Sequence, residues 1–148
     1  MNGLMKGVKI EPLSVFPDER GVAKKIMTSD EFQLPIRDVY YTSVYKDVVK
    51  GWHGYLTKTI CFTCVSGHVK FVMYDHRVKS ETYGLMDSVI MGDLRYCRVT
   101  VPPGIFSAFK GISQFSEVVV VADEPFSEAR MVRLPIEDLE YDWRTKNG

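Results

Sequence analysis

The side chain best suited to chemistry in this sequence is the imidazole of His53, because of the residues that surround it. The segment reads Val49, Lys50, Gly51, Trp52, His53, Gly54 and Tyr55. The two glycines carry no Cβ, so backbone or ligand can approach closely. The two aromatic residues would wall a site, and the lysine would add a cation. A neutral imidazole suits a general base, but the same residue types also fit a packed histidine without chemistry.

Two cysteines three residues apart, Cys61 and Cys64, could in principle serve redox or zinc chemistry. Thioredoxin-type chemistry places such a pair at a helix N-terminus, where the helix dipole lowers the thiol pKa. Here the surrounding residues favour a strand, in which residues three apart point to opposite faces. A zinc site needs two further ligands at similar spacing, and only Cys97 remains. The pattern therefore favours packed thiols.

The elements that must position His53 are predicted to be β-strands along most of the chain. Val, Ile, Tyr, Phe and Thr dominate runs spaced as in sandwiches and barrels. Besides the His53 segment, the predicted strands are Val8–Phe16 with a break at Pro12, Val22–Met27, Arg37–Tyr45, Thr59–Val65, Val69–Tyr74, Thr82–Met91, Arg95–Val101 and Glu117–Ala122. These nine or so strands predict an all-β jelly roll or barrel with little helix, since closure removes exposed sheet edges.

Shorter signals predict how the strands are joined. Ser66-Gly67 predicts a β-hairpin between the strands on either side of it. Ser29 is expected to cap one short helical turn. The apolar run Val118–Val121 predicts a strand that is buried on both faces. The tail from Phe126 onward is expected to be loop with one short turn.

Composition favours one domain over residues 1–148 that works in the cytoplasm. A chain of 148 residues can bury a sizeable core. Its 19 basic and 19 acidic residues are scattered, which argues against nucleic acid or a membrane surface as the main partner. We expect no spanning helix, since the sequence has no apolar run long enough to cross a membrane. We also expect no secretory signal, since the N-terminal residues lack the apolar segment of such a signal. Three cysteines, an odd number, fit free thiols in a reducing compartment.

A second segment, Val101–Phe109, holds a Pro-Pro-Gly corner followed by alternating apolar and small residues. With the His53 segment it resembles the two halves of the cupin signature. More narrowly, the chain resembles the dTDP-4-dehydrorhamnose 3,5-epimerase family. The likeness runs through Asp18–Gly21, Val48–His53, Tyr74–Arg77, Ser80–Gly84, Val101–Gly104 and Leu139–Trp143. The resemblance implies a single cupin-type jelly-roll domain that acts on a nucleotide sugar, expected to be dTDP-linked.

The family's chemistry implies roles for particular residues. A histidine takes the C3 or C5 proton of a 4-keto-6-deoxy sugar, and His53 matches this base. Lys58 lies close to the position of the lysine that stabilises the enolate oxygen. Arg20 and Lys50 match positions that contact the nucleotide diphosphate, and Lys50 keeps the charge of the usual arginine but loses its bidentate fork. Trp52 completes the expected substrate contacts on this segment.

The sequence also departs from the family pattern. Val120 stands where the epimerases carry a tyrosine acid, and Ser107, an expected substrate contact, replaces the second cupin histidine. With His53 the only ligand left of the usual set, we expect no metal and no cofactor. Strand residues i and i+2 share a face, so Tyr55 is expected to point into the pocket and to supply the acid.

The histidine-orienting aspartate of the family is expected to lie beyond the match, and Asp138 or Asp142 could replace it. Three functional hypotheses stay open at this point. The first is a 3,5-epimerase with His53 as base. The second is a 3,4-ketoisomerase, although those cupins have His-x-His where this chain has His53-Gly54-Tyr55. The third is a non-catalytic sugar-binding cupin. Family members pair through their sheets, so a homodimer is expected, with Arg20 completing the neighbour's site.

Overall fold

The structure is a computed structural model that describes residues 5–127 and 130–147. Its strands are β1 (Lys9–Pro12), β2 (Val15–Asp18), β3 (Gly21–Lys24), β4 (Asp38–Tyr45), β5 (Val49–Tyr55), β6 (Ile60–Ser66), β7 (His68–Asp75), β8 (Met86–Gly92), β9 (Cys97–Val101), β10 (Ile105–Gly111), β11 (Phe115–Ala122) and β12 (Met131–Arg133). The helices are α1 (Ser29–Phe32) and a 3-10 turn at Ile136–Asp138. None of the helices in the described part of the chain has the length and apolarity needed to cross a membrane.

Two five-stranded antiparallel sheets face each other. The first sheet has the order β1-β9-β6-β11-β4, and the second has the order β12-β5-β10-β7-β8. Strands β2 and β3 form a separate hairpin. This arrangement confirms the expected all-β jelly-roll barrel with little helix. Strand β5, which carries His53, is held between β10 and β12 in the second sheet.

The core lies between the sheets because alternate residues of each strand face inward. Val118 and Val120 of β11 are fully buried there, and the rings of Phe62 and Phe71 meet across the core with centroids 4.8 Å apart. Each such side chain contributes roughly 1.5–3 kcal/mol through burial. The interpretation of Val118–Val121 as buried on both faces holds in part, since Val121 packs beneath α1 while Val119 is half-buried.

The expected hairpin at Ser66-Gly67 is wrong. Strand β6 pairs with β9 and β11, whereas β7 pairs with β8 and β10, so the chain crosses from one sheet to the other at this point. Gly67 has a φ of 85°, which favours glycine. A Cβ there would also lie 2.7 Å from the carbonyl oxygen of Phe115. A two-residue turn signal marks the reversal but does not say which strands pair.

The tail and the short helix differ from expectation in one respect each. The tail contributes an additional edge strand, β12, besides the expected short turn, because Met131–Arg133 pairs with the free edge of β5. The helix begins one residue earlier than expected. Thr28 is the N-cap, and its hydroxyl accepts a hydrogen bond from the amide of Glu31 at 3.3 Å.

The cysteines behave as strand geometry predicts. Cys64 points into the core between the sheets, and Cys61 points outward beneath α1, where it packs with Phe32. Both thiols are buried and free. Burial raises their pKa values to about 11, so both are protonated at neutral pH.

Candidate active site

A cavity of about 450 Å³ lies between the two sheets, with His53 in its wall. The first sheet contributes Asp38, Tyr40, Thr42, Ile60, Phe62 and Val120. The second sheet contributes Lys50, Gly51, His53, Tyr55, Ser107, Phe109, Met131 and Arg133, and Phe126 joins them from a loop. Most of the wall is therefore apolar, and a few polar groups converge on one region. Small-molecule sites commonly have this character.

His53 stands at the centre of this polar region. It faces Ser107 on β10 and Arg133 on β12, the residues directly opposite it in the sheet. Burial lowers the pKa of His53 below its ordinary value of 6.5, and the charges of Arg133 and Lys50 lower it further. Within residues 5–127 and 130–147, no carboxylate forms an ion pair with this ring. The imidazole is therefore neutral at neutral pH and can accept a proton.

A β-bulge brings Lys50 to the cavity. Ser107 pairs with His53 and Phe109 pairs with Lys50, so β5 has one residue more than β10 over this stretch. The extra residue rotates Lys50 to the face that His53 occupies. Gly51 makes the close approach to β10 feasible, since a Cβ there would lie 2.7 Å from Cα of Ala108.

Lys50 also links the two sheets. Its ammonium donates a hydrogen bond to the hydroxyl of Thr42 on β4 at 3.0 Å. Both side chains line the cavity. The lysine is exposed, so its charge is available to a ligand in the cavity.

Two tyrosines face each other across the cavity, Tyr40 from β4 and Tyr55 from β5. Burial raises the pKa of both phenols. The interaction between the two phenols raises the pKa of Tyr40 further and partly offsets the rise at Tyr55. The Tyr55 hydroxyl in turn donates to the sulfur of Met131 at 3.3 Å. Both phenols therefore hold their protons at neutral pH.

Lys58 packs against one of these tyrosines, Tyr55. Its side chain is only 3% exposed, and its ammonium sits 4.4 Å from the ring centroid of Tyr55 and 6.0 Å from that of Phe126. Among the described residues, none accepts a hydrogen bond from this ammonium. Burial lowers the pKa of Lys58, while the charges of Asp38, Glu124 and Asp123 oppose the change. Such an unpaired cation is costly to bury and electrostatically strong at short range.

This geometry coincides with a family match over nearly the whole chain. The family model for dTDP-4-dehydrorhamnose 3,5-epimerase matches residues 3–147. The chain belongs to this family. Members are nucleotide-sugar epimerases by description, so the identification made from the sequence motifs is confirmed.

Individual relatives are similar at moderate identity. The protein named "Probable low-salt glycan biosynthesis epimerase Agl13", from Haloferax volcanii, is 28% identical over 116 residues, which covers 76% of this chain and 74% of the relative. The dTDP-4-dehydrorhamnose 3,5-epimerase of Mycobacterium tuberculosis is 26% identical over 146 residues, 91% of this chain and 72% of the relative.

Solved structures show the same fold. NovW, a 4-keto-6-deoxy sugar epimerase from Streptomyces spheroides, superposes with a TM-score of 0.87 at 25% identity, over 97% of this chain and 78% of NovW. A dTDP sugar isomerase from Desulfovibrio desulfuricans G20 superposes with a TM-score of 0.88 at 24% identity, over 94% of this chain and 92% of that one.

The epimerase-family motifs do not all meet at the cavity. His53, Tyr55, Lys50 and Ser107 line it together, and Lys58 contacts two of its rings. Trp52 points to the opposite face of β5, where it is fully buried beneath the tail and its ring lies 5.7 Å from that of Trp143. The structure therefore does not bring Trp52 to the cavity.

Arg20 also lies outside the cavity of its own chain. It stands at the tip of the β2–β3 hairpin, 86% exposed, and its guanidinium binds Asp18. Neither aspartate considered for orienting His53 lines the cavity. Asp138 is exposed in the 3-10 turn, and the exposed Asp142 binds Arg144 at 2.9 Å.

The structure adds three functional groups that the motifs did not identify. Arg133 lies in the tail, which was expected to be loop, and Met131-Val132-Arg133-Leu134 does not show the strict apolar/polar alternation of a strand. Tyr40 and Asp38 lie in a strand that was predicted, but the pattern did not reveal which of its faces points inward. Val120, where the family has its tyrosine, lines the cavity and pairs directly with Tyr40.

A metal site has no obvious ligand set here. In the ranges that the structure describes, no group of three or more His, Cys, Asp or Glu side chains is placed to hold a metal ion. His53 has cations rather than further metal ligands as its charged neighbours. The donor set therefore fits proton transfer better than metal binding.

Proposed function

We propose that this protein is a nucleotide-sugar 3,5-epimerase that removes a proton next to the ketone of a 4-keto-6-deoxy sugar. The observation that carries the proposal is the neutral imidazole of His53, held between two cations inside the cavity of an epimerase-family fold. His53 is the base. A general base works best when it is largely unprotonated at the operating pH, and a lowered pKa meets that condition.

The two cations near His53 stabilise the negative charge of the substrate and of the transition state. Removal of the proton leaves an enolate, whose oxygen is stabilised by a cation that is already in place. Arg133 is directly opposite His53 and is our candidate for this contact. Lys50, which is exposed and lines the same cavity, is our candidate for the diphosphate. Ser107, on the other side of His53, supplies a hydroxyl for a sugar oxygen.

A dTDP-linked sugar is the proposed substrate. The curated relatives from mycobacteria are named dTDP-4-dehydrorhamnose 3,5-epimerase, and the structure of ChmJ, a 3'-monoepimerase from Streptomyces bikiniensis, is a complex with dTDP-quinovose. The cavity supports a ligand of this kind. Its apolar wall of Ile60, Phe62 and Val120 fits a deoxygenated carbon, and its polar end carries positive charge.

Inversion also needs a proton donor. The phenols of Tyr40 and Tyr55 are protonated and lie in the same cavity as His53, so we propose that this pair provides it. Lys58 is not our candidate for the enolate contact, because it does not line the cavity and its ammonium packs 4.4 Å from the ring centroid of Tyr55.

Solvent exchange tests the proposal. The protein is incubated in D₂O with dTDP-4-keto-6-deoxyglucose, and with the corresponding UDP, GDP and CDP sugars. We expect deuterium at C3, at C5 or at both, followed by NMR and mass spectrometry. His53→Ala should abolish exchange, while His76→Ala, an exposed histidine outside the cavity, should not. Wild-type protein that exchanges no proton in any of these sugars would refute the proposal.

Binding without catalysis is the second candidate function. The observation in its favour is that no carboxylate orients His53 among the described residues. Catalytic histidines commonly rely on such a partner. This alternative predicts that calorimetry detects nucleotide-sugar binding and that no deuterium is incorporated.

We also propose a homodimer in the cytoplasm. The outer face of β4 and β11 exposes Val39, Tyr41, Tyr45 and Phe115, with 60%, 54%, 68% and 44% of each residue accessible. An apolar patch of this kind is typical of an interface, and a second copy of the chain is its proposed occupant. The three free thiols fit a reducing compartment. Light scattering that gives a monomer at micromolar concentration would refute the dimer.

A further inference from the structure

Epimerisation requires two groups on opposite faces of the sugar ring, and the two sheets provide these two faces. His53 approaches the cavity from the second sheet. The new proton must therefore arrive from the first sheet. The described residues of that sheet that line the cavity include three polar side chains, Asp38, Tyr40 and Thr42.

Two of these three groups are engaged elsewhere. The carboxylate of Asp38 accepts a hydrogen bond from the amide of Phe126 at 3.1 Å. The hydroxyl of Thr42 accepts one from the ammonium of Lys50 at 3.0 Å, and an alcohol is in any case a far weaker acid than a phenol. Tyr40 is the remaining donor.

We propose that Tyr40 is the catalytic acid that delivers the proton opposite His53, an assignment that rests on the proposed epimerase function. Tyr55 shares both the strand and the face of His53, so its phenol lies on the side of the base. Tyr40 comes from the opposing sheet. The two tyrosines therefore have different roles, with Tyr40 as donor and Tyr55 as its support.

In the resting site Tyr40 keeps its proton, because burial raises its pKa and the neighbouring Tyr55 and the charge of Asp38 raise it further. Support for the phenolate that follows proton delivery comes from Tyr55. In the resting site the Tyr55 hydroxyl donates to the sulfur of Met131 at 3.3 Å, and sulfur is a weak acceptor. Once Tyr40 is a phenolate, the Tyr55 hydroxyl loses little by turning from the sulfur to the anion. The buried ammonium of Lys58 lies 4.4 Å from the Tyr55 ring centroid and has no hydrogen-bond partner among the described residues.

The step balances without any co-reactant. His53 takes the proton from carbon, and the electron pair of that C–H bond becomes the enolate. The enolate carbon then takes the proton of Tyr40 on its other face, leaving a phenolate and an imidazolium. Water returns a proton to the phenolate and accepts one from the imidazolium. His53 is only half-buried, which gives it contact with solvent for this exchange.

Tyr40→Phe separates proton removal from inversion. In D₂O the variant should still incorporate deuterium into the starting sugar with retained configuration, because His53 can remove and return a proton on its own face. Formation of the inverted sugar should fall by roughly 100-fold or more, the usual contribution of a positioned acid. Tyr55→Phe should slow inversion less and should not uncouple it from exchange.

The matched control is Tyr83→Phe. It removes a phenol hydroxyl from an exposed tyrosine that lies outside both the cavity and the proposed dimer face. Inversion should stay at the wild-type rate, and thermal unfolding should show that all three variants fold. Inversion at the wild-type rate in Tyr40→Phe, or uncoupling in Tyr55→Phe instead, would overturn the assignment and leave the proposed function intact. Absence of exchange in the wild type would overturn both.

Discussion

Among individual residues, His53 sets the pH range of the proposed reaction through its protonation state. Burial lowers its pKa below 6.5, and Arg133 and Lys50 lower it further. Only the neutral imidazole accepts a proton, so activity is lost as the pH falls through this lowered pKa. We expect the acid limb of the kcat/KM profile for solvent exchange to lie below pH 6.5, the ordinary value of histidine.

Removing one of the cations should move this limb in a known direction. Lys50→Met eliminates a charge that lowers the pKa of His53, so the acid limb should move to higher pH. The shift is read from the pH profile of deuterium exchange. Lys46→Met is the control, since Lys46 is exposed and lies outside this cavity. An acid limb that stays in place in Lys50→Met would show that the lysine does not act on His53.

Local sequence patterns predicted which face of the sheet some residues of the site occupy, but not others. The two-residue period of a strand correctly places Tyr55 on the face of His53. The same period places Lys50 on the other face, and only the bulge in β5 reverses this. Arg133 and Tyr40 reach the cavity through strand pairings and packing between distant parts of the chain. No local pattern encodes such contacts.

At the level of elements, the tail packs over β5, and Trp52 of β5 is the side chain that it packs against. The fully buried indole packs with Val72, Phe106 and Ala108 of the sheet, and with the tail residues Leu134, Ile136, Leu139, Tyr141 and Trp143. Trp52→Ala should lower the free energy of unfolding by about 3–5 kcal/mol, as measured by urea unfolding. Trp52→Phe, which keeps a ring there, should leave the KM of the sugar unchanged. A higher KM without loss of stability would instead indicate a substrate contact.

A buried aspartate fixes the connection from β7 to β8. Asp75 has no exposed surface, and it accepts hydrogen bonds from the guanidinium of Arg77 and the hydroxyls of Ser80 and Thr82. Burial alone would raise its pKa, but these donors outweigh burial and hold the pKa below the ordinary 3.8. Stabilisation is therefore complete above pH 3.8 and is lost as the pH falls through the lowered pKa.

Asp75→Asn should therefore lower the free energy of unfolding by about 3 kcal/mol at neutral pH, because it weakens a buried charged network. The difference from wild type should narrow below pH 3.8. Asp142→Asn is the control. Asp142 binds Arg144 in the same way but at the surface, where an ion pair contributes little to the free energy of unfolding. A difference that persists unchanged in acid would mean that packing, not the carboxylate, stabilises this connection.

The strands themselves were more predictable than their pairing. Hydrophobic alternation identified most of them, because it records which residues face a core. The hairpin expected at Ser66-Gly67 was wrong because β6 and β7 belong to opposite sheets, and a glycine turn looks the same in both cases. The strand β12 was missed because an edge strand of three residues leaves little pattern.

At the scale of the whole molecule, Arg20 belongs to a family motif but does not line the cavity of its own chain. It extends from the β2–β3 hairpin, which also exposes Phe16 and Val22 with 58% and 57% of each accessible. In a homodimer this hairpin could cover the partner's cavity and place the guanidinium on the diphosphate. Arg20→Met should then raise the KM roughly tenfold with kcat nearly unchanged, the effect of losing one charged hydrogen bond to bound substrate. Arg144→Met is the matched control, since Arg144 is equally exposed and also binds the aspartate two residues before it.

Mixing subunits decides whether Arg20 acts across the interface. His53→Ala protein lacks the base but supplies a normal Arg20, and Arg20→Met protein supplies a normal His53. If the arginine serves the neighbouring subunit, each mixed dimer contains one site with both groups intact, and activity at low substrate should rise above that of either variant alone. If the arginine serves its own subunit, mixing creates no intact site and activity stays at the average of the two. Light scattering on the same samples shows that the mixture is dimeric, so the absence of a rise would count against Arg20 as a shared residue and not against the epimerase itself.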